Sequence, residues 1–139
     1  MDSGFHYIMN ILSISSDRKM FEQGSAVRGR LLEYGKLIKR LHVIVFTKDA
    51  LGFENETIHP NIFLYPTNAK TRLGYIPRAI LKAHKLKKRG VRIDVVTAQD
   101  PFELGLTAYV IARILGARLH LQVHTDFMSP YFARESFMN

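Results

Sequence analysis

The stretch that decides the fold is RIDVVTAQDPFELGLTAYVIARILGARLHLQVHTDF, residues 92–127. It opens with an apolar run of strand length at residues 92–98, continues with an apolar helical pattern over residues 102–115, and ends with a second strand from residue 119. Gly116 is placed to end the helix. A strand, a helix and a strand in this order predict a parallel pair joined by a right-handed crossover.

The same alternation extends toward the N-terminus. Three further apolar runs show the weak alternation that is typical of strands buried on both faces: residues 7–14, 42–47 and 61–66. Amphipathic patterns predict two more helices, at residues 25–40 and 76–89. We therefore predict one α/β domain over residues 1–139, a Rossmann-like three-layer α/β/α arrangement with a mainly parallel sheet.

Within this sheet we expect the first strand to be central and the third to lie near one edge. The connection at residues 48–60 has no helical period and is predicted to be a loop. Gly35 should cost the first helix about 1 kcal/mol relative to Ala. Close packing against the sheet would explain a glycine at this position.

Composition excludes several classes of protein. The 139 residues include no Cys, which excludes a disulfide framework, a thiolate nucleophile and Cys-based metal sites. The sequence has no apolar run of the roughly 20 residues that span a bilayer. The first ten residues lack the pattern of a signal peptide. We expect a cytoplasmic protein.

The net charge of +8 favours anionic partners such as nucleic acid, acidic lipids or phosphorylated ligands. The helix at residues 76–89 has four cations at helical steps: Arg78, Lys82, Lys85 and Arg89. They predict a face that binds a membrane surface or phosphate, which would make the protein peripheral at the membrane. The alternative is a solvated outer face.

Ligands of wound parallel sheets bind beyond the carboxyl ends of the strands. The polar residues at those predicted ends are the candidates for chemistry: Ser15, Ser16, Asp17, Thr67, Asn68, Gln99, Asp100, Glu103, His124, Thr125 and Asp126. His120 and His124 would lie about 13 Å apart on one strand face, too far to share an ion. We therefore expect no metal site.

The residues at two predicted helix starts have both a functional and an ordinary structural interpretation. Gly24 and Ser25 precede the first helix, whose N-terminus could bind an anion. The segment GSAVRG keeps only the outer glycines of G-x-G-x-x-G, so a loop with a Ser cap is the alternative. Asp100 could act in a ligand site or cap the third helix, with Glu103 completing a capping box.

Four segments together resemble the N-terminal domain of a family 4 (group 1) glycosyltransferase of the GT-B fold. They are the first strand with its polar loop, GSAVRGRLLEYGKLIKRLHVIVFT at residues 24–47, RIDVVTAQDPFELGLTAYVIARILGARLHLQVHTDF at residues 92–127, and SPYFARESFMN at residues 129–139. The strongest is the pairing of VTAQDPFELG with LQVHTDF. In that family the corresponding strands end in an acid-Pro turn and in a His-Thr or His-Asp pair.

The resemblance implies an enzyme that transfers a sugar from a nucleotide-sugar to a sugar or lipid-linked acceptor, with retention of anomeric configuration and no cofactor. His124 and Asp126 would be the catalytic residues. Ser16, Gly24, Asp100 and Thr125 would bind substrate. The family's N-terminal domain binds mainly the acceptor. Its nucleotide-sugar domain follows and is absent from these 139 residues, so we expect the chain to be inactive alone.

Two alternatives remain from the residues themselves. A basic Rossmann-like module could bind nucleic acid or an anionic membrane. Nucleic acid is disfavoured because the cations are not interleaved with aromatic residues and no nucleic-acid motif is present. Half of a sugar-nucleotide epimerase would share the two-domain architecture but perform different chemistry.

Overall fold

The computed structural model describes residues 9–100 and 102–121. The six strands are β1 (Asn10–Ser15), β2 (Arg40–Val45), β3 (Glu56–His59), β4 (Ile62–Pro66), β5 (Val95–Ala98) and β6 (Arg118–Leu121). The helices are α1 (Ala26–Gly35), α2 (Tyr75–Lys88) and α3 (Glu103–Leu115). Short 3-10 turns lie at Arg18–Phe21, Asp49–Leu51 and Arg72–Gly74.

The strands form one sheet in the order β3-β4-β2-β1-β5-β6. Every pair is parallel except β3 and β4, which are antiparallel. The predicted α/β class, with a mainly parallel sheet and a Rossmann-like layered arrangement, is confirmed. β1 is central, as expected, and β4, the third strand in the sequence prediction, lies next to one edge.

The prediction of a plain loop at residues 48–60 is wrong because it missed β3. This strand has only four residues, ETIH, and it is an edge strand whose side chains are half-buried or exposed. It pairs with β4 alone, and the register shifts between Thr57 and His59. A short edge strand buries too little to leave a clear apolar pattern in the sequence.

Helix α1 ends five residues earlier than predicted. The side-chain amide of Asn61 donates hydrogen bonds to the carbonyls of Gly35, at 2.7 Å, and Ile38, at 3.3 Å. These bonds satisfy carbonyls that a helix terminus leaves free. The expected close packing of Gly35 is confirmed, because a Cβ atom there would lie 2.5 Å from Cδ1 of Ile62.

The two faces of the sheet are covered differently. On one face, which we call the α2–α3 face, helices α2 and α3 bury a cluster that includes Leu12, Val96 and Ile111. On the other, the α1 face, α1 packs over a smaller cluster that includes Leu31, Val43 and Leu64. In the described part of the chain, α1 is the helix on that face, and it leaves the area beside β1 and β5 open.

Candidate functional site

The strand order places a topological switch point between β1 and β5. From β1 the chain proceeds to β2 on one side, and from β5 it proceeds to β6 on the other. The two strands are parallel neighbours, with Ile14 beside Ala98. Ligands of wound sheets bind in the crevice outside the carboxyl ends of such a strand pair.

A cavity of about 450 Å³ opens at this point on the α1 face. We call it the switch-point cleft, and its lining residues are Asp17, Met20, Val27, Arg30, Leu31, Tyr34 and Gln99. Asp17 follows β1, Gln99 follows β5, and the remaining side chains come from α1 or the 3-10 turn before it. The structure thus brings together one carboxylate, one guanidinium, one amide and one aromatic ring.

The cleft continues as a groove along the α1 face of the sheet. This second cavity, about 290 Å³, shares Met20, Leu31, Tyr34 and Gln99 with the cleft. Its far end is lined by apolar side chains that include Ile11 and Leu37. The polar groups are therefore concentrated at the carboxyl end of the strands, where the sequence predicted the site.

Local hydrogen bonds position Asp17. Its N–H donates to Oγ of Ser15 at 3.1 Å, and its carboxylate accepts from the N–H of Lys19 at 3.1 Å. The second bond caps the 3-10 turn, which directs Met20 into the core at 3% exposure. Asp17 therefore has a fixed place at the mouth of the cleft. Its neighbour Ser16, predicted to bind substrate, is exposed at the end of β1.

The loop before α1 is held at its second end by Ser25. Its hydroxyl donates to the carbonyl of Lys19 at 2.6 Å and accepts from the N–H of Arg28 at 3.1 Å. The alternative of an ordinary Ser cap is confirmed. Gly24 is exposed and has a φ of +84°, a left-handed conformation that favours glycine. This turn explains Gly24 without a ligand.

Asp100 does not line the switch-point cleft. Its carboxylate accepts a hydrogen bond from the N–H of Phe102 at 2.8 Å, immediately before α3. Its carbonyl packs against α3, since a Cβ atom on Gly105 would lie 2.8 Å from that oxygen. The predicted helix cap is wrong, because the N-cap residue of α3 is Phe102 and Asp100 instead closes the turn before the helix. The predicted capping box is wrong as well, since Glu103 is the first residue of α3 and Phe102 makes no side-chain capping bond.

Thr67 and Asn68, also predicted at the strand ends, bond within the protein. Oγ1 of Thr67 accepts from the N–H of Thr47 at 2.9 Å and donates to its carbonyl at 3.1 Å. The hydroxyl of Thr47 donates to the side chain of Asn68 at 3.1 Å, and the amide of Asn68 donates to the carbonyl of Phe53 at 2.8 Å. These bonds join the segments that directly follow β2 and β4. Thr67 and Asn68 therefore have a structural role.

The predicted catalytic residues His124 and Asp126, and the predicted substrate-binding residue Thr125, lie outside the described residues. His120 is described. It pairs with Thr97 across β5 and β6 and is exposed.

Of the four predicted cations, Arg78, Lys82 and Lys85 lie on α2 and Arg89 is the C-cap residue directly after it. Lys82 is half-buried, and this burial lowers its pKa, an effect that Lys85, Arg78 and Arg89 reinforce in that order. The other three side chains are exposed. The structure thus brings together the cluster that the helical spacing predicted.

Sequence reasoning missed a buried histidine on the α2–α3 face. His42 is 4% exposed, stacks between Phe63 and Tyr65, and shares a 2.8 Å hydrogen bond with the Tyr65 hydroxyl through Nδ1. Burial, reinforced by the positive charge of Arg40, lowers the pKa of His42 from 6.5 to about 4. Its Nε2 atom is buried without a partner. The ring is therefore neutral near pH 7 and belongs to the core.

A larger cavity, about 620 Å³, lies at the opposite end of the strands, beside the amino ends of β1, β5 and β6. It is rimmed by Lys39, Lys87, Arg92 and Arg118, near the ends of α2 and α3. Helix C-termini carry partial negative charge, and Nζ of Lys87 donates to the carbonyl of Ile114 at 2.9 Å. The cations complement the helix ends, so we assign the ligand site to the switch-point cleft.

In residues 9–100 and 102–121, no group of three or more His, Cys, Asp or Glu side chains is arranged to hold a metal ion. None of the described helices combines the length and the apolar character needed to cross a membrane.

Comparison with known proteins supports the fold. No model of a known protein family matches the sequence, and no curated protein matches it. Among solved structures, the chain is similar to the C-terminal domain of a hydrogenase from Pyrococcus furiosus, with a TM-score of 0.55 and 12% identity. The match covers 84% of this chain and 92% of that domain. At this identity the likeness shows a shared fold.

Proposed function

We propose that the chain is the acceptor-side domain of a glycosyltransferase and that the acceptor binds in the switch-point cleft. The observation that carries the proposal is the cleft itself. Asp17, Arg30 and Gln99 converge beside the exposed ring of Tyr34, at the strand ends where Rossmann-like sheets bind ligands.

These side chains suit a sugar. A carboxylate such as that of Asp17 accepts two hydroxyl hydrogen bonds, and the Gln99 amide both donates and accepts. Arg30 adds charge-assisted donors in a fixed geometry. The ring of Tyr34 offers an apolar face with a polar tip, which fits the C–H surface and hydroxyl rim of a pyranose.

The roles of the remaining residues rest on the family resemblance. His124 and Asp126 would contact the transferred sugar or the acceptor, and Thr125 and Ser16 would bind substrate. A donor domain like that of the family would supply the nucleotide-sugar. We expect the 139-residue chain to bind acceptor sugars without turning over a nucleotide-sugar.

The proposal can be tested by saturation-transfer NMR on the purified chain with a panel of mono- and disaccharides. At least one sugar should bind, and Asp17→Asn and Gln99→Ala should each weaken its affinity about tenfold, as expected when a buried polar contact of about 1.4 kcal/mol is lost. Asp17→Asn keeps the oxygen that caps the 3-10 turn, so the melting temperature should hold.

Two exposed residues outside the cleft provide matched controls, Asp49→Asn for the charge and Asn55→Ala for the amide. Both should bind the sugar as the unchanged protein does. Sugar binding that survives both cleft substitutions, or no binding across the panel, would remove the support that the cleft gives to the proposal.

A further inference from the structure

The net positive charge of this protein comes from one part of the chain. Residues 57–93 contain nine Lys or Arg and no Asp or Glu, whereas the rest of the sequence has eleven basic and twelve acidic residues. The net charge of +8 therefore arises from this single stretch. Charge that served only solubility would not need to be segregated in this way.

The fold presents this stretch on one surface. It includes most of β3, all of β4, the following 3-10 turn and α2, and α2 packs on the sheet through Tyr75, Ala79, Ala83 and Leu86. Six of the nine cations lie on α2 or directly at its end, and all nine are exposed except the half-buried Lys82. This surface belongs to the α2–α3 face, so it lies on the other side of the sheet from the switch-point cleft.

The cations on α2 are not neutralised within the described part of the protein. The ion pairs there are Arg28–Glu56, Lys36–Glu33 and Arg92–Asp94, and none involves a residue of α2. After burial, the positive charges of Lys85, Arg78 and Arg89 also lower the pKa of Lys82, as neighbouring like charges do. Like charges at this spacing repel, and an anionic partner would relieve that repulsion.

Exposed leucines accompany the cations. Leu73, in the 3-10 turn that leads into α2, is 91% exposed, and Leu81 in α2 is 50% exposed. Pro77 lies midway between them at steps of four residues and is also exposed. An apolar row beside a basic row is the pattern of helices that lie in the interface of a bilayer.

We propose that the outer surface of α2 binds an anionic membrane surface. Arg78, Lys82, Lys85 and Arg89 would contact acidic headgroups, and Leu73 and Leu81 would enter the boundary of the acyl chains. Nucleic acid fits less well because Tyr75, the aromatic residue of α2, is buried and provides no stacking surface.

The test is co-sedimentation of the purified chain with vesicles of neutral phosphatidylcholine, or of phosphatidylcholine containing phosphatidylglycerol. We expect binding to the anionic vesicles only, weakening as salt is raised. Replacing the four cations by Gln should lower the affinity at least about 100-fold, since each cation near an acidic surface contributes substantially to binding. Circular dichroism melting should show that the variant is folded.

A matched variant tests whether vesicle binding depends on the position of the cations or only on the net charge of the protein. Arg18, Lys19, Lys36 and Lys39 are exposed and lie outside α2, and replacing them by Gln removes the same four charges. This variant should keep most of the vesicle binding. Equal loss in the two variants would mean that only net charge matters, which would overturn the assignment to α2.

Substituting the two exposed leucines distinguishes binding to a membrane from binding to another polyanion. Leu73→Ser with Leu81→Ser should weaken vesicle binding about tenfold while leaving weak binding to a single-stranded oligonucleotide unchanged. If vesicle binding is insensitive to the leucines, or if the oligonucleotide binds more tightly than the anionic vesicles, the membrane proposal is wrong. Binding in these assays does not depend on sugar recognition, so its failure would leave the proposed function untouched.

Discussion

The two faces of the sheet differ in how completely they are covered, and the difference separates stability from function. Among the described residues, seventeen buried side chains form the cluster of the α2–α3 face and eight form that of the α1 face. The better covered face supplies most of the core. The face with one helix leaves the switch-point cleft and its groove open, and the proposed acceptor site lies there.

The connections explain this asymmetry. Right-handed crossovers that run from β4 to β5 and from β5 to β6 place both α2 and α3 on the same face. On the other face, β1 connects to β2 through α1, but β2 connects to β4 through the edge strand β3 without a helix. Because this connection has no crossover helix, fewer side chains are buried on the α1 face, and more of that face stays accessible to solvent.

The two faces should differ most in how much free energy of unfolding is lost when a large apolar side chain is truncated to Ala. Ile111 of α3 is fully buried, and Ile111→Ala should lower the free energy of unfolding by about 4 kcal/mol. Leu31 of α1 is 7% exposed and borders the cleft, so solvent can fill the space and Leu31→Ala should cost about 2 kcal/mol. Urea unfolding of both variants measures the difference, and equal losses would contradict it.

The α2–α3 face should also respond to pH through His42. Its pKa is about 4 in the folded protein and 6.5 in the unfolded chain, so the unfolded state binds the proton more readily. Stability is fully present above pH 6.5 and should fall as the pH drops, by about 3 kcal/mol at pH 4.

Urea unfolding between pH 7.5 and 5 isolates this contribution, because few carboxylates titrate in that interval. His42→Asn keeps a polar group near the Tyr65 hydroxyl but removes the titration. Its stability should be almost independent of pH over this range. A slope as steep as that of the unchanged protein would show that His42 is not the cause.

On the α1 face, the ion pair between Arg28 and Glu56 joins α1 to the edge strand β3. The side chain of Arg28 is 14% exposed and also donates to the carbonyl of Phe21 at 3.3 Å. Arg28→Met should therefore lower the free energy of unfolding by about 2 kcal/mol. The exposed ion pair between Lys36 and Glu33 serves as the comparison. Lys36→Met should change the free energy of unfolding by less than about 0.5 kcal/mol.

The smallest expected effect tests how closely α1 approaches the sheet. Gly35→Ala gains helix propensity but pushes a methyl group against Ile62, which is fully buried, and should cost about 1 kcal/mol overall. Gly29 lies in the same helix with open space around its Cα, and Gly29→Ala should stabilise the protein by up to about 1 kcal/mol. Thermal unfolding of the two variants should give shifts of opposite sign.

The candidate site was predictable only in part. Asp17 and Gln99 stand at the carboxyl ends of apolar runs, so sequence reasoning could name them among the candidates. It could not separate them from Thr67, Asn68 and Asp100, whose side chains bond within the protein. Arg30 and Tyr34 were missed as site residues because their place in the cleft depends on which way α1 faces.

The sequence by itself determined the alternation of strands and helices, the cluster of cations on α2 and the candidate strand ends. These features follow from burial periods and spacings that are local in the chain. Tertiary structure alone decided the strand order, the end of α1 at Gly35 against the side chain of Asn61, and the meeting of β1 with β5. Asn10 and Asp94 are joined by a 2.8 Å hydrogen bond although 84 residues separate them, and no local pattern encodes such a pairing. Because the switch point is created by pairings of this kind, the position of the cleft became visible only in the folded chain.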